Sequence, residues 1–68
     1  MNVVLNGSPA DLEDGSTVAD AVAAAGIEAA GRGVAVAVEG EVVPRTEWRE
    51  RELRDGESVE VVHAVQGG

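Results

Sequence analysis

The chain has 68 residues, no cysteine, and 13 acidic against 5 basic side chains, for a formal net charge of -8. That length allows one domain with one thin core. The absence of cysteine excludes disulfide staples, a thiolate nucleophile and a cysteine zinc site, and the charge disfavours nucleic acid and anionic lipid as partners. A field of this sign steers the chain toward a positively charged protein face, although the same acids also serve solubility. No apolar run approaches the roughly 20 residues that span a bilayer. Residues 1–5 lack the basic region of a signal peptide. A cytoplasmic address is expected.

The chain opens on Val3-Val4-Leu5, a short apolar run that stops at Asn6-Gly7-Ser8-Pro9. Asn-Gly is a strong signal for a two-residue hairpin turn. Residues 10–13 are expected as the returning strand, with Leu12 inward and Asp14-Gly15 as the next turn. A helix then starts at Thr17, a capping residue with Asp20 three positions later. Val18, Ala21, Val22 and Ala25 recur at the spacing of one helical stripe. Gly26 ends the helix, and Ile27 is expected to fold back onto the core. Residues 28–33 form a connector.

Val34-Ala35-Val36-Ala37-Val38 is the clearest strand, with valines on one face and small alanines on the other. A turn is expected at Gly40-Glu41, followed by a short strand, Val42-Val43, that Pro44 ends. Residues 45–54 are charged and read as a loop with a short helical turn, anchored by Trp48 and Leu53. Asp55-Gly56 is the last tight turn. Residues 58–65 form the final strand, with Val59 and Val61 inward, and Gln66-Gly67-Gly68 is a tail without apolar anchors. The order predicts an α+β fold with a mixed sheet of four to five strands and one main helix packed on one face. Residues 1–65 form a single domain and 66–68 a flexible tail.

The sequence resembles the ThiS sulfur carriers of thiamin biosynthesis, which have the ubiquitin-like β-grasp fold. The resemblance covers nearly the whole chain. It rests on Asn6-Gly7, on Gly15 with Thr17-Val18, and on residues 36–45 running through Val43-Pro44-Arg45 with Trp48 three positions on. Leu53, Asp55-Gly56 and a valine strand leading to a terminal Gly67-Gly68 complete it. The combination carries the resemblance; no single piece does.

The resemblance implies a carrier rather than an enzyme. An E1-like adenylating enzyme (ThiF-like) would activate the Gly68 carboxylate with ATP and magnesium, neither held by this chain. Sulfur from a persulfide made by a cysteine desulfurase would displace AMP and leave a thiocarboxylate. A thiazole synthase (ThiG-like) would then take the sulfur. Gly67 and Gly68 suit this because they have no side chains to obstruct a narrow channel. Three extended residues reach roughly 10 Å, enough to enter a partner's cleft.

Val43, Val62 and Ala64 are expected to form an apolar patch that such partners recognise. Glu60 adds charge complementarity, and Arg45 and Gln66 are further candidate contacts. This assignment depends on register, since a slip of one residue exchanges the two faces of a strand. Arg45 equally suits pairing with a neighbouring glutamate. Trp48 suits either a lid over the core or an interface anchor. His63 reads as an exposed strand residue near the interface. Three other readings stay open: a carrier for molybdopterin or cysteine synthesis, a ubiquitin-like protein modifier, and a plain interaction module. A monomer that docks transiently is expected.

Overall fold

The computed structural model describes residues 1–26 and 33–63. A five-stranded sheet carries one helix. The elements are β1 (Asn2–Leu5), β2 (Ser8–Asp11), α1 (Val18–Ala24), β3 (Val34–Val38), β4 (Glu41–Val43), a 3-10 turn (Arg45–Glu47) and β5 (Ser58–His63). The spatial order is β2-β1-β5-β3-β4, with β1 and β5 parallel and the other neighbours antiparallel. β5, the last strand in sequence, is therefore the centre of the sheet.

The first hairpin is tighter than the sequence reading has it. Asn6 and Gly7 both take positive φ, at 49° and 81°, so pairing begins at once with Leu5 opposite Ser8. β2 consequently spans Ser8–Asp11, not residues 10–13. Pro9 is tolerated there because β2 is an edge strand and needs no outward N–H. Leu12 packs against the core as expected. The second hairpin is corrected by one residue in the same way. Its turn is Glu39-Gly40, with φ of 51° and 82°, and Glu41 already pairs with Val38.

α1 has seven residues, too few to be stable alone. Its start is held by other parts of the chain. The Asp20 carboxylate accepts from the Thr17 N–H at 2.8 Å and from the Thr17 hydroxyl at 3.2 Å. The Val18 and Ala19 N–H groups, which have no partner within the helix, donate to the carbonyls of Arg51 and Trp48 at 3.0 Å each. Val18, Ala21 and Val22 are buried, and Gly26 with φ of 77° closes the helix. The position of Ile27 lies outside the described residues.

The core is the inward face of the sheet packed on α1: Val3, Val36, Val38, Val59 and Val61 against Val18, Ala21 and Val22, with Val43, Trp48 and Leu53 closing one side. Each fully buried valine contributes roughly 1.5–3 kcal/mol relative to exposure. Among the described residues no polar or charged residue is buried. No helix among them is long and apolar enough to cross a membrane.

Candidate functional site

Because side chains alternate along each strand, the register fixes what lies on the side of the sheet away from α1. β5 places Val59 and Val61 inward and Glu60 and Val62 outward. β3 sets Ala37 beside Glu60 and Ala35 beside Val62. β4 sets Val42 beside Ala37. Val42 is 75% exposed and Val62 is 56% exposed. The outer face therefore carries an apolar patch of Val42, Ala35 and Val62 with Glu60 among them. Small alanines in the middle let the valines at either side stand clear.

This corrects the expected place of Val43. It pairs with Val36 on the inner face and is only 8% exposed, so it belongs to the core and Val42 takes its place on the patch. Either turn, Gly40-Glu41 or Glu39-Gly40, sets Val43 opposite an inward valine of β3 and leaves Val42 on the outer face. The signal was present in the sequence, because a two-residue loop starting right after Val38 leaves Val42 facing outward.

The strands contain no lysine or arginine; their ionic side chains are Asp11, Glu41 and Glu60. The described arginines, at 45, 49, 51 and 54, all lie between β4 and β5. Glu60, which the register places among the outer-face valines and alanines, complements an apolar surface bearing a cation.

Arg45 is exposed, just after β4. Its guanidinium lies 5.0 Å from the centroid of the Trp48 ring, a cation–π contact worth about 0.5–1 kcal/mol at an exposed site. Trp48 is the lid: it is 4% exposed and its Nε1 donates to the Val43 carbonyl at 2.9 Å. His63 ends β5 and is exposed. Ala64, Gln66, Gly67 and Gly68 lie outside the described residues.

The segment between β4 and β5 also forms an open polar hollow lined by Glu50, Arg51, Glu52, Leu53, Arg54 and Glu57. Its charges serve the fold. Arg51 Nη2 donates to Glu57 Oε2 at 3.1 Å, and the Arg54 N–H donates to Glu57 Oε1 at 2.7 Å. Burial pushes the Glu57 carboxyl up, but these two donors outweigh it and hold the group below its ordinary range. No cluster of three or more metal-ligating side chains occurs among the described residues.

Comparison with known proteins gives a consistent result. The family model described as the ThiS family matches residues 3–68. The sulfur carrier protein ThiS of Thermus thermophilus is 44% identical over 66 residues, covering 97% of this chain and 98% of that protein. The crystal structure of a thiamine biosynthesis protein (ThiS) from Geobacter metallireducens superposes with a TM-score of 0.78 at 28% identity, covering all of both chains. An NMR structure of a thiamine biosynthesis protein from the same organism gives the same score and identity, covering all of this chain and 88% of the other.

Proposed function

This chain belongs to the ThiS family of sulfur carriers, and from that premise we propose that the carboxyl group of Gly68 is the group that bears the sulfur. The observation that carries this reading is the reach of the family match, which runs through Gly67 and Gly68. A carboxylate is a poor electrophile until it is given a leaving group. An E1-like enzyme supplies one by joining the Gly68 carboxylate to AMP, using its own ATP and magnesium. The terminal sulfur of a persulfide, made by a cysteine desulfurase, then displaces AMP to give an acyl persulfide, and a partner thiol cleaves its S–S bond, leaving the thiocarboxylate and a disulfide on the partner. A thiazole synthase is the acceptor, in keeping with the thiamine role given to the Geobacter metallireducens relative.

In this reading the chain supplies two things. The glycine pair offers a reacting carbon with no side chain beside it. The outer patch of Val42, Ala35 and Val62, with Glu60, is the docking face, where apolar contact gives affinity and the acid selects a cationic partner.

The test is intact mass spectrometry after incubation with the adenylating enzyme, ATP, magnesium and a sulfur source. The expected result is a mass gain equal to exchange of one oxygen for sulfur, lost when Gly68 is deleted. No gain with an enzyme active on its own carrier would overturn the proposal.

A further inference from the structure

Gly68 follows β5 in sequence, and the backbone of β5 is held at two points by side chains from tight turns. Asn6 and Glu39 are the two non-glycine residues with positive φ among the described residues. Glycine takes that conformation without a Cβ penalty, yet both positions hold a side chain with a hydrogen-bond acceptor. Each acceptor is used on β5. Glu39 Oε2 accepts from the Ser58 N–H at 2.6 Å, and Asn6 Oδ1 accepts from the Val61 N–H at 2.7 Å.

The Asn6 contact replaces a missing rung. In the parallel pairing of β1 with β5, Val4 stands opposite Ser58 and Leu5 opposite Val59. The Val4 N–H donates to the Glu57 carbonyl and the Asn6 N–H to the Val59 carbonyl, both at 2.9 Å. The next bond of a parallel ladder runs from the Val61 N–H to the main-chain carbonyl of Asn6. At Asn6, however, the chain leaves the ladder for the turn. Its side-chain carbonyl takes the place of the main-chain one.

We infer that Asn6 is a positioning residue for sulfur transfer, an inference that rests on the carrier reading above. Its side-chain oxygen extends the β1–β5 ladder by one bond at Val61, so that the strand leading to Gly68 is tied on its β1 side as well as on its β3 side, where pairing runs to His63. A residue chosen only for the turn has no need of that oxygen.

Two substitutions separate these roles in the full chain. Asn6→Gly keeps the turn, because glycine suits positive φ, and removes the acceptor. Asn6→Asp keeps an acceptor in a residue type that tolerates the same φ. Amide hydrogen exchange is read at Val61, with Val36 as the control for global stability. Asn6→Gly is expected to speed exchange at Val61 by about three- to tenfold, the worth of one hydrogen bond. Exchange at Val36 reports the accompanying change in global stability, the speeding at Val61 exceeds it, and Asn6→Asp restores Val61. In thiocarboxylate formation, Asn6→Gly lowers kcat, and Asn6→Asp recovers it. Wild-type exchange at Val61 or wild-type kcat in Asn6→Gly overturns the inference. Should the wild-type chain accept no sulfur, the carrier reading fails on its own account, and exchange at Val61 still decides whether the side-chain bond holds β5.

Discussion

The indole N–H of Trp48 donates to the main-chain carbonyl of Val43 at 2.9 Å, which ties the single tryptophan to the short strand that also presents Val42 to solvent. Lid and docking face are thus joined through β4. Trp48→Phe keeps a ring over the core but removes the bond to the Val43 carbonyl, at an expected cost of about 0.5–1.5 kcal/mol. Trp48→Ala opens the core and costs about 3–5 kcal/mol. A chain of this length has roughly 3–10 kcal/mol in total, so the alanine variant should be largely unfolded at 37 °C. Urea denaturation followed by circular dichroism measures both. Equal stability of all three proteins would refute the lid.

Neighbouring valines on β4 should behave in opposite ways. Val43→Asp buries an unpaired charge and is expected to cost about 3–5 kcal/mol. Val42→Asp changes a solvent-facing side chain and should alter stability by no more than about 0.5 kcal/mol. Its effect falls on docking, where it adds a second acid to the patch and removes apolar area. The expected readout is a raised KM with the adenylating enzyme, shared by Val62→Asp. A wild-type KM in both outer variants would mean that partners dock elsewhere.

The Glu57 carboxyl titrates below its ordinary value of 4.5 in the folded chain. A group whose folded pKa is depressed contributes stability above its unfolded pKa and loses it as pH falls through the folded one. Wild-type protein should therefore exceed Glu57→Gln in stability at neutral pH. The gap should close as pH drops below the ordinary glutamate range. Urea midpoints of the two proteins across that range provide the measurement. A gap that is independent of pH would show that the Arg51 and Arg54 donors do not favour the charged form.

Much of the fold was legible because local chemistry and periodicity agree. Val34 to Val38 alternates large and small, Asn6-Gly7 and Asp55-Gly56 are turn formers, and Thr17 with Asp20 marks a helix start. Those features act over a few residues and need no partner to be recognised. Val59 and Val61 were readable as inward for the same reason. The family resemblance added what spacing alone does not supply, the expectation that the chain works through its C-terminal glycines.

Three matters were decided only by tertiary structure. The turn at Glu39-Gly40 places a glutamate at positive φ, which local propensity argues against. Its carboxylate is satisfied by Ser58, nineteen residues away. That contact ties the β3–β4 turn to β5. The second is the bond from Val61 to Asn6, which spans 55 residues and exists only because β1 and β5 meet as parallel neighbours. The third is the anchoring of α1, whose first N–H groups find the Arg51 and Trp48 carbonyls. The sequence by itself determined which segments form strands, helix and turns, since those choices follow from side-chain period and backbone permission. The assignment of backbone donors to distant acceptors depended on which strands became neighbours, because those bonds join residues far apart in the chain.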